Sequence, residues 1–364
     1  MAFTVLSDTA IKTLLQNIQP KDLDPIQSAL RKAFITYSLE NEQEYQPHRA
    51  SVTRPSGQTT LFMPTTSTEY VGAKIIGIPP PDSTGKTLTG VLVLCDTEGK
   101  PIGIMNAQEV TAFRTALGSM PLLQLRNNVE NIVGFGAGKQ AFWHVRLALL
   151  LRPGEVKRIT IVNRSQERSL ELVEKLAPYA TSPVQVTQFD PTKDKRDSEL
   201  KELIMSANVI FCTTPAKTPL FPHHYLDEAI EQGKGPYIAA IGSYHISMSE
   251  LDPKLFSRIV KSQTSFNPRG DNGGVIVVDS VSGCEQEAGE IVQGKVSENQ
   301  MIEIGQLLHI LDEDSRNSKA KEEWVKTGLV VYKSVGMGVM DLAVGGAVLE
   351  LAKSKNTGDS LGAL

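Results

Sequence analysis

Apolar and polar positions change period several times along the chain, and the changes divide it. Residues 1 to about 40 carry apolar positions at helical spacing. Asp8 is the expected N-cap of a helix over 9–18. Asp24-Pro25 opens a second helix over 26–39, with proline in its first turn. From residue 45 the pattern alternates, and 45–53, 59–64, 70–78 and 89–95 read as strands. Asp96-Thr97-Glu98-Gly99 turns the chain into a further strand over 101–105. A helix over 106–125 follows. This stretch predicts a mixed α+β domain with an antiparallel sheet.

Beyond residue 130, short apolar runs alternate with helical patterns. Strands are expected at 132–135, 158–162, 184–189, 208–214, 237–241, 258–260 and 275–279. Helices are expected at 139–151, 166–177 and 197–205. Such alternation predicts an α/β fold with a doubly wound parallel sheet of the Rossmann kind. Residues 266–274 are turn-rich and read as an exposed loop. A helix over 298–311 has Ser297 as its expected N-cap. A short apolar stretch at 329–334 leads to a helix over about 340–353. That last helix is apolar on most faces and needs burial, against the N-terminal domain or a second subunit. The expected division is a Rossmann dinucleotide-binding domain over 127–324, with 1–126 and 325–364 forming a second domain.

Bulk properties narrow the classes. A chain of 364 residues is too long for one ordinary core. The 40% hydrophobic and 21% charged content is that of a soluble globular protein. A net charge of −4 without a basic block argues against a nucleic-acid or membrane-surface partner. No apolar run reaches the ~18 residues of a bilayer span. The N-terminus lacks a charged segment followed by a long apolar core, so a cytoplasmic location is expected. Cys95, Cys212 and Cys284 are isolated and odd in number. They read as reduced thiols, with no metal site expected.

The densest chemical signal is Gly136-x-Gly138-x-x-Ala141, between a strand and a helix. Gly136 permits a tight turn, Gly138 lets backbone N–H groups approach a pyrophosphate, and Ala141 lets the helix pack close to its strand. The helix start then offers unpaired N–H groups and a partial positive charge. The next strand ends in Asn163-Arg164-Ser165, where an NAD-selective site usually places an acid. Arg164, helped by Ser165 and Arg168, suits a 2′-phosphate instead, which argues for NADPH. On a random turn a solvated Arg is the commoner case; the upstream fingerprint favours the phosphate. Arg49, Lys74 and Arg114 each sit among apolar or small neighbours. Together they suit a substrate carboxylate. On spacing alone, a charge snorkelling from a strand or helix is the commoner explanation for each.

The chain resembles the ornithine cyclodeaminase/mu-crystallin family over nearly its whole length. The anchors are Pro47-His48-Arg49, Met63-Pro64, Gly72-Ala73-Lys74, Thr111-Ala112-Phe113-Arg114-Thr115-Ala116 and the glycine turn. Gly242 with Glu250-Leu251, Val278-Asp279, Gly289-Glu290, Lys333-Ser334-Val335-Gly336 and Asp341 extend them. The resemblance implies a homodimer joined through the N-terminal domain and C-terminal helices, and a nicotinamide cofactor in the central domain. It places Arg49, Lys74 and Arg114 on substrate-binding and catalytic positions. It also adds Lys139, Gln140, Thr213, Thr214, Gly242, Ser334 and Gly336 to the cofactor-binding residues.

The departures point away from ornithine. Where the cyclodeaminases carry an aspartate two residues after the glycine, this chain has Tyr244. Their substrate-binding glutamate has no aligned counterpart, since Glu69 is the only acid between Arg49 and Lys74. Asn163-Arg164 is similar to the NADPH-dependent crystallin branch. The expectation is an NADPH-dependent reductase of a C=N bond beside a carboxylate. Its substrates would be Δ1-pyrroline-2-carboxylate, Δ1-piperideine-2-carboxylate or an imine of a 2-oxo acid, with Tyr244 at the substrate's far end. The alternatives are an NAD-using cyclodeaminase-type lyase, a crystallin-type protein that binds NADPH and a hormone-like ligand, and a biosynthetic imine reductase or amino-acid dehydrogenase for a larger substrate.

Overall fold

The computed structural model describes residues 3–80, 83, 87–180, 184–189, 196–313 and 318–362. The chain opens with β1 (Phe3–Leu6), α1 (Asp8–Gln16) and α2 (Pro20–Leu39). Five strands follow: β2 (Ala50–Thr53), β3 (Thr59–Thr66), β4 (Val71–Ile78), β5 (Thr89–Cys95) and β6 (Pro101–Asn106). After α3 (Ala107–Gln124) come β7 (Asn131–Phe135), α4 (Lys139–Leu151), β8 (Arg158–Val162) and α5 (Gln166–Leu176). Then come β9 (Gln185–Gln188), α6 (Arg196–Ser206), β10 (Val209–Cys212), α7 (Asp227–Gln232), β11 (Tyr237–Ala240) and α8 (Pro253–Lys261). The series continues with β12 (Ile276–Val278), α9 (Val281–Glu287), α10 (Gly289–Gln293), β13 (Met301–Glu303), α11 (Ile304–Glu313) and α12 (Ser318–Thr327). It ends with β14 (Val330–Lys333), α13 (Gly338–Ser354) and β15 (Asp359–Leu361).

These elements form two compact units, Met1–Thr115 with Met337–Leu364, and Ala116–Gly336. The first holds a seven-stranded sheet in the order β15-β1-β6-β5-β4-β3-β2. Strands β2 to β6 pair antiparallel with one another, as the alternating pattern predicts, while β1 joins β6 in parallel. One sheet face, with Met63, Ile76, Leu92 and Leu94, is buried. The apolar helix α13 packs against α2 and β3–β5, so the N-terminal part of the chain covers it. The second unit holds an eight-stranded sheet, β13-β12-β14-β11-β10-β7-β8-β9, parallel throughout. Its core joins Val133, Ile210, Ile238 and Ile276 from the strands to Leu255, Phe256 and Ile291 from the helices.

Several expectations change, each for a physical reason. Ser7, not Asp8, caps α1, its hydroxyl accepting from the N–H of Ala10. Helix α2 starts at Pro20, because Gln19 and Asp22 form a capping box there, and Pro25 lies inside it. Residues 258–260 are helix, not strand. They belong to α8, capped by Asp252, whose buried Leu255, Phe256, Ile259 and Val260 follow a helical period that three residues cannot reveal. The expected helix over 298–311 splits into a 3-10 turn, β13 and α11. The loop at 266–274 is exposed only in part: Asn267 and Pro268 are buried, and Arg269 bonds the carbonyl of Met301. Strands β1 and β15 and helices α7, α9, α10 and α12 are additional to those expected. The contact boundaries fall at 115/116 and 336/337, not near 126 and 325, because β14 pairs with β11 and β12 in the parallel sheet.

Candidate active site

In the second unit, β7 lies between β8 and β10. The chain steps outward from β7 through β8 to β9, then returns to the other side of β7 as β10. This reversal is the topological switch point, where open α/β sheets bind ligands beyond the strand C-termini. Gly136 turns the chain at that point with φ +105. Its N–H donates to Val162 O at 2.9 Å, and a Cβ there would lie 2.7 Å from Thr213 Oγ1. Gly138 is the N-cap of α4, and a Cβ there would meet nothing within 4 Å. The first helical bond runs from Phe142 N–H to Gly138 O. The amides of Lys139, Gln140 and Ala141 therefore precede the helical ladder. Ala141 is buried against the sheet. The side-chain Oε1 of Gln140 is buried without a hydrogen-bond partner. A glycine turn with open space over the amides of a helix start fits a dinucleotide phosphate.

The neighbouring strand ends complete this rim. Asn163 Nδ2 donates to Ser165 O at 3.0 Å, and Ser165 caps α5 through the Arg168 N–H. Arg164 and Arg168 are exposed. Thr213 Oγ1 donates to Phe135 O at 2.7 Å, which ties the end of β10 to the glycine turn. Thr214, Gly242, Ser334 and Gly336 follow β10, β11 and β14, and all rest on buried carboxylates. The N–H groups of Thr214 and Gly242 each donate to Glu250 at 2.6 Å. Ser334 Oγ and Gly336 N–H donate to Asp279 Oδ2 at 2.6 and 2.7 Å. Burial pushes the Glu250 carboxyl up to about 7, opposed by Lys333 and its N–H donors.

In the first unit, Lys74 on β4 and Arg114 on α3 meet at one carboxylate, Asp341 on α13. Lys74 Nζ lies 2.6 Å from Asp341 Oδ2, and Arg114 Nε 3.0 Å from Oδ1. The three residues are 3%, 4% and 1% exposed. Arg49 is half-buried just before β2 and adds to the positive field at Lys74. Burial lowers the Lys74 ammonium from 10.5 to about 8; Asp341 opposes this, while Arg114 and Arg49 assist it. Lys74 and Arg114 thus share one carboxylate, with Arg49 near enough to act on Lys74. Tyr244 lies in an exposed loop with Ile246.

Pattern reading named Asp341 but not its role as counter-ion, and it left Glu250, Glu290, Asp279 and Lys333 without any role. The available signal was local: Asp279 follows an apolar strand, and Asp341 stands in a helix otherwise almost wholly apolar. Among the described residues no group of three or more His, Cys, Asp or Glu is placed to hold a metal ion, and no helix is long and apolar enough to cross a membrane.

Known proteins resemble this chain in sequence and fold. The sequence model of the ornithine cyclodeaminase/mu-crystallin family matches residues 8–356. An uncharacterized protein of Saccharomyces cerevisiae is 29% identical over 322 residues, 82% of each chain. The Delta(1)-pyrroline-2-carboxylate reductase of Bacillus cereus is 26% identical over 333 residues, 88% of this chain and 90% of that one. Among solved structures, the iminosuccinate reductase of Paracoccus denitrificans in complex with NAD+ shares the fold with a TM-score of 0.74. Its identity is 20%, and 99% of each chain is covered.

Proposed function

The chain belongs to the ornithine cyclodeaminase/mu-crystallin family, and from that premise we propose an NADPH-dependent reductase of a C=N bond beside a carboxylate. The observation that carries this reading is the buried cluster of Lys74, Arg114 and Asp341 with Arg49 nearby. The similarity to a Delta(1)-pyrroline-2-carboxylate reductase supports the substrate class, a cyclic imino acid or an imine of a 2-oxo acid. Arg164 at the end of β8, in place of an acid, supports the phosphorylated cofactor.

A nicotinamide cofactor, when bound, would supply the hydride. Gly136, Gly138 and the start of α4 would hold its pyrophosphate; Arg164, Ser165 and Arg168 would hold the 2′-phosphate. Arg49 and Arg114 clamp the substrate carboxylate, which orients the adjacent carbon for reduction. Lys74 donates a proton to the nitrogen, so the imine becomes an amine. An ammonium loosened to about 8 gives up a proton far more readily than an ordinary lysine.

A second copy of the chain is proposed to cover the outer face of the seven-stranded sheet. Phe62, Ile75 and Val91 form one cross-strand row there, and Pro64, Ala73, Val93 and Ile104 the next. Phe62, Ile75 and Val52 are 42%, 38% and 46% exposed, an apolar surface of the kind that marks an interface.

The test is oxidation of NADPH or NADH in the presence of Δ1-pyrroline-2-carboxylate, Δ1-piperideine-2-carboxylate, and 2-oxo acids with amines. NADPH consumption with at least one of them is expected. Ammonia release from ornithine with no net cofactor change would replace this reading with the lyase.

A further inference from the structure

Glu250, Asp279, Glu290 and Lys333 carry charge but take no part in the chemistry above. All four are 0% exposed at the C-terminal end of the parallel sheet. Buried ions are costly to desolvate, and well-packed apolar residues would often stabilise the fold as well or better. Their hydrogen bonds point to another use.

The Glu250 carboxylate joins two loops. Oε1 accepts from the N–H of Thr214 at 2.6 Å and from its hydroxyl at 3.2 Å. Oε2 accepts from the N–H groups of Gly242 at 2.6 Å and Ser243 at 3.2 Å. Beneath it, Glu290 Oε1 accepts from the Glu250 N–H at 2.8 Å and from the Ser243 hydroxyl. Lys333 Nζ donates to Ser243 O and Oγ at 2.6 and 2.7 Å. The ends of β10, β11 and β14 are thereby tied together. Asp279 repeats the device beyond β12: Oδ1 accepts from the N–H groups of Ser280 and Val335, and Oδ2 from Ser334 Oγ and the Gly336 N–H. The fit is tight, since a Cβ at Gly242 would lie 2.3 Å from Thr214 O and 2.6 Å from Glu250 Oε1.

We propose that Glu250 and Asp279 are positioning residues of the cofactor site, each holding from the sheet side the strand-end backbone against which the dinucleotide lies. This rests on the cofactor reading above. Every oxygen of both carboxylates faces N–H or O–H donors. An amide in place of either acid therefore turns an NH2 toward a donor and opens one side of the clasp.

Glu250→Gln and Asp279→Asn test this in the full chain. Glu303→Gln is the comparison: Glu303 is also a buried carboxylate, but the bond it takes is from the Val281 N–H in the first turn of α9. NADPH affinity is read by titrating the fluorescence of the reduced nicotinamide, with melting temperature and separate KM values for cofactor and imino acid. The two rim variants should weaken NADPH by about tenfold or more, the effect of one opened charged hydrogen bond, and leave the imino-acid KM unchanged. Glu303→Gln should lower the melting temperature without moving NADPH affinity. Unchanged NADPH affinity in the folded rim variants, or equal weakening in Glu303→Gln, overturns the proposal. If a rim variant does not fold, Ser243→Ala, which removes only the hydroxyl between Lys333 and Glu290, is judged by the same split. A wild-type chain that binds neither NADPH nor NADH overturns the cofactor reading itself, whereas wild-type binding with unaffected variants overturns only this inference.

Discussion

Lys74 owes its lowered pKa to burial, and Asp341 is what limits the fall. As the proposed proton donor, Lys74 must be protonated, so kcat/KM should hold below about 8 and decline as pH rises through that value. Asp341→Asn removes the opposing charge and should move the declining limb to lower pH; a pH–rate profile with an unmoved limb refutes the donor role. Arg114→Met should cost roughly tenfold to a hundredfold in kcat/KM for the imino acid, the worth of a hydrogen bond to a charged group. Arg164→Asp should weaken NADPH more than NADH, and equal losses of both would remove the phosphate assignment. The burial of Lys74 and Arg114 was hinted at by their small apolar neighbours, although spacing alone favoured snorkelling charges. Their common partner was not, since a carboxylate on α13 has no local relation to a strand near residue 74.

At the level of the element, the glycine turn was read correctly because its requirements are local: backbone freedom and room. The two glycines nevertheless predict different outcomes. Gly136→Ala forces a left-handed φ and a Cβ 2.7 Å from Thr213 Oγ1, so stability should drop by about 1–2 kcal/mol along with NADPH binding. Gly138→Ala has φ −102 and open space, so its melting temperature should hold while NADPH binding falls. Thermal melts with and without NADPH separate the two. Element boundaries were least legible where competing signals stood close together. Gln19-Pro20 outbid Asp24-Pro25 as the start of α2, and α8 masqueraded as a strand when only its last apolar residues were considered.

For the whole molecule, charge in the core makes stability depend on pH. The Glu250 carboxyl is raised from 4.5 to about 7 by burial, so the folded state holds its proton more tightly. Its contribution is fully present below about 4.5 and is lost as pH rises through about 7. Melting temperatures of wild type and Glu250→Gln should therefore differ by an amount that changes across that window; a constant gap would show no linkage. Phe62→Asp with Ile75→Asp should convert the proposed dimer into a folded monomer by sedimentation, and an unchanged mass would place the interface elsewhere. Local sequence determined the fold class, most of the strands and helices, and the glycine turn, because periodicity and backbone freedom act over a few residues. Only the tertiary structure decided that β14 joins the parallel sheet, that Asp341 answers Lys74 and Arg114, and that Glu250 and Asp279 clasp the strand ends. Those pairings depend on which distant segments exclude water together, and no short stretch of chain encodes its partner.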